Sequence, residues 1–150
     1  TSYIRLPKIQ KEGYVNLMLD TGAGCTVLGE TDLKKMDVEI SSLAEAPNPI
    51  AGWGGKTQAF ILSDICIFLT DDDNQCQLFE MPEIICGKNP KGKKGKSRMG
   101  VQRTWNATIP SVIGRDFLLR HNLIVHIDVA EKDIFLASKL YANTKSENRK

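Results

Sequence analysis

The sequence predicts a single all-β domain with one short helix near its C-terminal end, and three observations lead to this class. Short apolar, β-branched segments alternate with turn signals along most of the chain. Only Gly114 to His121 reads as a helix. The 150 residues, 41% hydrophobic and 25% charged, suit one globular domain with a core of ordinary size. We therefore expect one domain over residues 1–140 and a polar tail over 141–150 that frays.

Five segments in the first part of the chain have the composition of β-strands, and turn signals separate them. They are Tyr3–Leu6, Tyr14–Leu19, Thr26–Leu28, Ile50–Leu69 and Cys76–Cys86. Glu12-Gly13 is predicted to be the turn of the first hairpin, and Thr70–Asn74, with three consecutive acids, the turn before the last strand. This spacing of short strands favours a barrel or a sandwich.

The last part of the chain is predicted to form a strand, a helix and a hairpin. Trp105–Ile113 is a strand candidate that runs into the helix Gly114–His121. Asp116 lies in the first turn of that helix, where a carboxylate suits the positive end of the helix dipole. Leu123–Val129 and Asp133–Ala137 are then predicted to pair around the intervening Ala-Glu-Lys.

The segment Gly87–Arg103 differs from its surroundings, because it holds seven Lys or Arg residues and no acid. A segment dominated by Gly, Pro and Lys has too few apolar side chains to form a buried core. We therefore expect a mobile, solvated hairpin loop inserted into the domain. A phosphate-binding patch for nucleic acid is the less favoured interpretation. The segment has no aromatic residue on which bases could stack.

Composition narrows the classes of partner and cofactor. The net charge of +2 indicates no particular partner, and no apolar run reaches the ~18 residues that would span a membrane. The four cysteines form no Cys-x-x-Cys pair and lie far from both histidines, so neither a metal nor another cofactor is expected. Buried, reduced thiols are expected, with two disulfides left open. An intracellular or retroelement-associated location is favoured over secretion.

Three motifs, taken together in their order along the chain, are more specific than any one of them. "LMLDTGAGCTVL" spans 17–28, "GWGG" spans 52–55, and "VIGRDFL" spans 112–118. Together they resemble the retropepsin-like aspartic peptidases, the single-lobed relatives of pepsin, over roughly Tyr3 to Ala137. The resemblance implies a closed β-barrel of the acid-protease type, a glycine-rich flap at 52–55, and a Gly-initiated helix after the last core strand.

The resemblance also assigns roles to residues of this sequence. It implies a catalytic element formed by Asp20, Thr21 and Gly22. It implies contacts with an extended polypeptide substrate from Ala23, Gly52, Trp53, Gly54, Gly55 and Ile113. It implies structural support of the site from Gly114, Arg115 and Asp116. Retroviral members often carry an acid at the position of Gly24 that pairs with the helix Arg, so Arg115 is expected to find another partner, Asp116 or a group of a second chain.

The chain supplies one Asp-Thr-Gly, whereas aspartic peptidases hydrolyse peptide bonds with two carboxylates that share a proton. The resemblance therefore implies a homodimer in which Asp20 of each copy forms the dyad. Two other classes of function stay open from the sequence. One is a non-catalytic peptide-binding or dimerisation module of the same fold. The other is a nucleic-acid-binding β domain that uses the basic segment.

Overall fold

A computed structural model describes residues 1–52, 55–89, 94–96, 102–104 and 108–138, and over these residues the protein is mostly β, as predicted. The strands are β1 Ser2–Leu6, β2 Lys11–Val15, β3 Met18–Leu19, β4 Val27–Gly29, β5 Ala44–Glu45, β6 Ile50–Gly52, β7 Gly55–Thr57, β8 Ala59–Thr70, β9 Cys76–Gly87, β10 Lys94–Lys96, β11 Gln102–Thr104, β12 Val112–Ile113, β13 Leu123–Asp128 and β14 Asp133–Ser138. The helices are α1 Glu30–Lys35 and α2 Arg115–Arg120, with single 3-10 turns at Pro7–Ile9 and Ile40–Ser42. Among the described residues, neither α-helix has the length and hydrophobicity to cross a membrane.

One eight-stranded sheet carries the fold. Its strand order is β2-β1-β8-β9-β4-β12-β3, and β5 adds to β8. The sheet curls into a half-barrel. Over the described residues β2 and β3 stay at its two ends, so the closed barrel is not formed there. β3 is only two residues long, so it offers few backbone groups to a closing ladder.

The core lies on the concave side of this sheet. Its largest fully buried side chains come from β1, β8, β9, β4 and both helices; they include Ile4, Leu6, Leu28, Leu33, Ile65, Ile67, Ile84 and Phe117. In β8 the inward positions alternate with more exposed ones, which is the period-2 pattern of a strand with one buried face.

The ladder of the long β8–β9 hairpin is interrupted at one position. It pairs Ser63 with Glu83 and Ile65 with Met81, so Asp64 and Pro82, which lie opposite each other, are not paired. Asp64 has a left-handed backbone with φ 58°. Pro82 has no N–H to donate, so a regular ladder bond from this residue is not available.

The expectation of a single helix was wrong, because α1 follows β4 directly. α1 buries one of its own side chains, Leu33, together with Met36 just after it. Six residues with one buried position do not produce a 3.6-residue hydrophobic period, which is why the sequence pattern did not reveal it. Ion pairs between Glu30 and Lys34 (2.8 Å) and between Asp32 and Lys35 (2.7 Å) support its exposed side.

The first hairpin exists, but its predicted turn was wrong. Glu12 and Gly13 lie inside β2, where they pair with Arg5 and Ile4. The chain reverses instead through the 3-10 turn at Pro7–Ile9, and Gln10 closes it with φ 52°. Pro7 at the start of this turn has the backbone angle that the turn requires. A Cβ at Gly13 would lie 2.7 Å from Cγ of Met36, so glycine serves close packing here.

Two of the remaining strand predictions are confirmed only in part within the described residues, because Tyr14–Leu19 is divided between β2 and β3 and Ile50–Leu69 is divided among β6, β7 and β8. Thr26–Leu28 corresponds to β4, Cys76–Cys86 to β9, and the C-terminal hairpin to β13 and β14. In the basic segment, β10 pairs antiparallel with β11, as expected for a hairpin. Of Trp105–Ile113, the strand is β12 alone among the residues described, and the tail at 141–150 lies outside them.

Candidate active site

Asp20 directly follows β3, in a loop that joins two strands separated in the sheet. β3 and β4 are consecutive in the chain, yet β12 lies between them, parallel to β3 and antiparallel to β4. The loop of residues 20–26 therefore crosses the end of β12. The Asp20 N–H donates to the carbonyl of Ile113 (3.0 Å), and the Met18 N–H to that of Ser111 (3.0 Å). The backbone position of Asp20 is thus set by two strands rather than by a free loop.

The loop turns back on the Asp20 carboxylate. The Gly22 N–H donates to Asp20 Oδ1 (2.9 Å), and the Ala23 N–H donates to the Asp20 carbonyl (3.1 Å). A Cβ at Gly22 would lie 3.1 Å from the same Oδ1, so glycine here allows the carboxylate to come close. Asp20 is partly buried and Thr21 is exposed, which leaves the carboxylate at a surface with Thr21 beside it.

The start of α2 is joined to this loop through the backbone. The Arg115 N–H donates to the carbonyl of Ala23 (3.0 Å). Gly114 packs so tightly that an added Cβ would lie 2.4 Å from both the carbonyl carbon and oxygen of Cys25. The Gly-Arg sequence at 114–115 therefore fixes the far side of the loop, as Ile113 fixes its near side.

A buried hydroxyl connects the loop to α2. Thr26 is completely buried, accepts a hydrogen bond from the Gly114 N–H (3.1 Å) and donates to Asp116 Oδ1 (2.8 Å). The same Asp116 oxygen accepts from the Phe117 N–H (2.7 Å). Asp116 thus supports the site through Thr26. The sequence contained one signal for this role, a hydroxyl in an otherwise apolar strand. Thr26 was nevertheless assigned only as a strand residue.

Replacing Thr26 by Val should destabilise the protein by about 2 kcal/mol, because the Gly114 N–H is left buried and unpaired and Asp116 loses a donor. Thr26→Ser keeps the hydroxyl and should retain most of the stability. Urea denaturation of both variants measures the difference. Equal midpoints for the two variants would contradict a role for the hydroxyl.

Two predicted site residues, Ile113 and Arg115, have contacts that differ from those the sequence predicted. Ile113 is 4% exposed and packs in the core cluster, so what it offers the loop is its carbonyl group. Arg115 is exposed, and within the described part of the chain no carboxylate forms an ion pair with it. A Cβ at Gly24 would lie 4.0 Å from Arg115 Nη2, so the guanidinium extends beside this glycine.

The glycine-rich stretch forms a hairpin, as expected. β6 and β7 pair with Ile50 opposite Thr57 and Gly52 opposite Gly55. Trp53 and Gly54 lie outside the described residues. The hairpin is seated at the end of β9: a Cβ at Gly87 would lie 3.2 Å from Ile50 Cδ1, and Thr57 Oγ1 donates to the carbonyl of Lys88 (2.6 Å).

Asn89 holds together the two ends of the segment 89–109, which contains most of the basic stretch. Its backbone N–H donates to Glu30 Oε2 of α1 (2.8 Å), and its side-chain oxygen accepts from the Ile109 N–H (2.8 Å). Lys34, the insertion's Asn89 and nearby Lys88 all hold the pKa of the Glu30 carboxyl below its ordinary value, with the Lys34 hydrogen bond the largest cause. Residues 89 and 109 are thus fixed beside each other and to α1.

Ser111 and Asp32 form a second support that the sequence did not reveal. The buried Ser111 hydroxyl accepts from the Gly29 N–H (3.0 Å) and donates to Asp32 Oδ2 (2.6 Å). A Cβ at Gly29 would lie 2.1 Å from the Ile109 carbonyl oxygen, so the segment that precedes β12 approaches β4 as closely as glycine allows. These contacts connect α1 to the strand β12 on which Asp20 depends.

The cysteines are free thiols rather than disulfides. Burial raises the pKa of Cys86 to about 12. The pKa of the Cys25 thiol is also raised, chiefly by burial and then by the charge of Asp116. The expectation of four buried thiols is confirmed for Cys86, holds in part for the half-buried Cys25 and Cys66, and was wrong for the exposed Cys76. Among the residues described, no group of three or more His, Cys, Asp or Glu side chains could hold a metal ion.

Comparisons with protein-family models and with curated proteins find no match to this chain.

Proposed function

We propose that the protein is an aspartic endopeptidase of the retropepsin type, active as a homodimer. Asp20 of each chain would contribute one carboxylate to a dyad that activates water against a peptide bond. An extended polypeptide would lie between the site loop and the β6–β7 hairpin, bound mainly through its backbone. The β6–β7 hairpin would exclude water when it closes over the substrate.

The observation that carries the proposal is the way Asp20 is held. Its backbone is bonded to β12, its carboxylate accepts the Gly22 N–H, and the far side of its loop is bonded to α2. A turn that merely connected two strands would not need a partly buried carboxylate fixed from both sides. Such fixation is what general acid–base catalysis requires of a carboxylate that must meet a second one in a defined geometry.

The second carboxylate would come from another copy, because the other candidate aspartates are engaged elsewhere. Asp116 accepts from Thr26 and Phe117. Asp64 lies 3.8 Å from Lys8 at the interruption of the β8–β9 ladder, and Asp128 accepts from the turn N–H groups of Ala130 and Glu131. Two Asp20 carboxylates brought together cannot both ionise cheaply, so they would share a proton and divide the roles of acid and base.

Exposed apolar side chains support self-association. Ile127 and Ile134 are cross-strand partners at the outer end of the β13–β14 hairpin, with 59% and 64% of their surfaces exposed. Val129, in the turn of that hairpin, is 84% exposed, and Leu119 on α2 is 78% exposed. Apolar side chains clustered at one end of a hairpin are typical of surfaces that a partner covers.

The proposal is tested by cleavage of a diverse peptide library between about pH 4 and 7, the range in which coupled carboxylates titrate. Specific activity should fall on dilution, since each site needs two chains. Because Ile134→Asp would weaken self-association, activity of this variant should already be lost at a higher protein concentration than in the wild type. Sedimentation velocity follows the dimer in parallel. Activity that is independent of concentration in a demonstrated monomer would contradict the shared site. Absence of cuts at high concentration would favour the non-catalytic peptide-binding module.

A further inference from the structure

Within the described residues, strand β9 has one edge that no strand covers over much of its length. It pairs with β8 from Cys76 to Gly87, and β4 pairs with its other side from Ile85 to Gly87. Among the described residues, no strand pairs with that other side between Cys76 and Ile84. An open edge presents unpaired N–H and C=O groups to any extended chain that can reach it.

One hydrogen bond reveals which backbone groups face outward. Arg120 Nε donates to the carbonyl of Glu80 (3.0 Å), so this carbonyl points away from β8 and towards the end of α2. Alternate residues of an antiparallel strand direct their N–H and C=O groups to the same side. The ladder from Thr70–Cys76 to Ile65–Met81 is continuous, so Leu78 and Cys76 also direct their groups to the open edge. Pro82 ends this run, because it carries no N–H.

A cleft of about 620 Å³ lies beside this edge, between β9 and the end of α2. Leu78, Glu80, Arg120 and His121 line it. Leu78 is 51% exposed and provides an apolar wall. His121 Nε2 is buried without a hydrogen-bond partner among the described residues, while its ring packs against Phe79 and Phe117 at centroid distances of 5.0 and 4.8 Å.

The chemistry of the cleft favours a polypeptide backbone over a charged ligand. The formal charges of Glu80 and Arg120 cancel. Burial, and then the charge of Arg120, lowers the pKa of His121, so its imidazole is neutral near pH 7. A phosphate backbone would meet the Glu80 carboxylate without a net positive field to offset it. A peptide strand instead offers alternating donors and acceptors for the edge and an apolar side chain for Leu78.

We propose that the open edge of β9, from Cys76 to Glu80, binds an extended segment of a polypeptide partner by strand addition, with one apolar side chain of that segment seated against Leu78. The site is separate from the Asp20 loop and does not depend on peptidase activity. The exposed edge positions and the neutral cleft together define the partner as an uncharged, extended peptide.

Amide hydrogen exchange followed by NMR tests the proposal on the full chain. The probe is a soluble peptide of alternating Thr and Val, and its control is the same peptide N-methylated at every backbone nitrogen. At a peptide concentration ~10 times the dissociation constant, exchange at the Leu78 and Glu80 amides should slow by about tenfold. The methylated peptide should leave these amides unchanged, because it cannot donate along either edge and its methyl groups prevent close approach to β9.

Two variants separate the edge from its side chain. Leu78→Pro removes the outward N–H without removing a bond to β8, and it should abolish the protection. Leu78→Ala keeps the N–H and should weaken binding while leaving the pattern of protected amides in place. No protection in the wild type at about 1 mM peptide would overturn the proposal. If oligo(dT) slowed exchange at the same amides as much as the peptide does, the proposal would be overturned in favour of a nucleic-acid surface. Asp20→Asn should bind like the wild type, so failure of the proposed catalysis would leave this result unaffected.

Discussion

Replacing Asp20 by Asn is expected to reduce peptide cleavage by about 10²–10⁴-fold or more while leaving the fold intact. The amide cannot take a proton from water, so the dyad loses its base. An Asn side-chain oxygen can still accept the Gly22 N–H that now binds Asp20 Oδ1 at 2.9 Å. The melting temperature should therefore stay within about 2 °C of the wild type, since no buried group loses its partner.

The matched control is Asp64→Asn, which changes an exposed carboxylate at the interruption of the β8–β9 ladder and should leave cleavage unchanged. A mixing experiment then addresses the shared site. An excess of Asp20→Asn chains should suppress wild-type activity, because mixed dimers contain one carboxylate. Cleavage by the purified Asp20→Asn protein at the wild-type rate would refute the mechanism. Full activity of the mixture would refute the exchange of chains at a common site.

Gly114→Ala is expected to cost about 3 kcal/mol of stability and to lower the melting temperature by about 10 °C. The new Cβ would lie 2.4 Å from the carbonyl carbon and oxygen of Cys25 and 2.9 Å from the Thr26 nitrogen. These are backbone atoms, so they cannot move aside as the end of a side chain would. If the loop and the start of α2 move apart to relieve this clash, the Arg115–Ala23 hydrogen bond is strained. Any activity that depends on the loop should then fall as well.

Gly24→Ala is the control in the same loop. The nearest atom to its added Cβ is the mobile end of Arg115, at 4.0 Å, so the change in stability should stay within about 0.5 kcal/mol. Thermal unfolding of both variants, followed by circular dichroism, gives the comparison. Similar melting temperatures for Gly114→Ala and Gly24→Ala would mean that the close approach at Cys25 does not constrain the fold.

The sequence predicted strands well where one face is buried and the turn residues are distinctive. β9, α2 and the β13–β14 hairpin were predicted nearly in full. It failed where short elements depend on distant contacts. Helix α1 buries only Leu33, so no periodicity marks it. The first hairpin turn was misplaced because Glu12-Gly13 has turn composition, whereas Gly13 is used to accommodate Met36.

The sequence located the candidate loop and one of its supports, the Gly-Arg-Asp start of α2, but not the polar contacts that hold them. The spacing of Asp20, the glycine-rich hairpin and the start of α2 could be recognised along the chain. The hydroxyl of Thr26, the Ser111–Asp32 pair and the Asn89 contact join residues 20 to 90 positions apart. Apart from a hydroxyl in the apolar strand of Thr26, nothing in the sequence pattern marks these residues, so the folded arrangement is needed to identify their partners.

The contact between Asn89 and Ile109 makes the segment between them, which contains most of the basic stretch, a separate structural unit. Its two ends are held together by a bond to the side-chain oxygen of Asn89, and α1 holds Asn89 in turn. Lengthening a loop whose ends are already joined adds only a slowly growing entropic cost. Residues between these ends are therefore free to be shortened, extended or exchanged in evolution without disturbing β9 or β12. Diversity among descendants of this chain should accumulate there, while the loop that holds Asp20 stays the same.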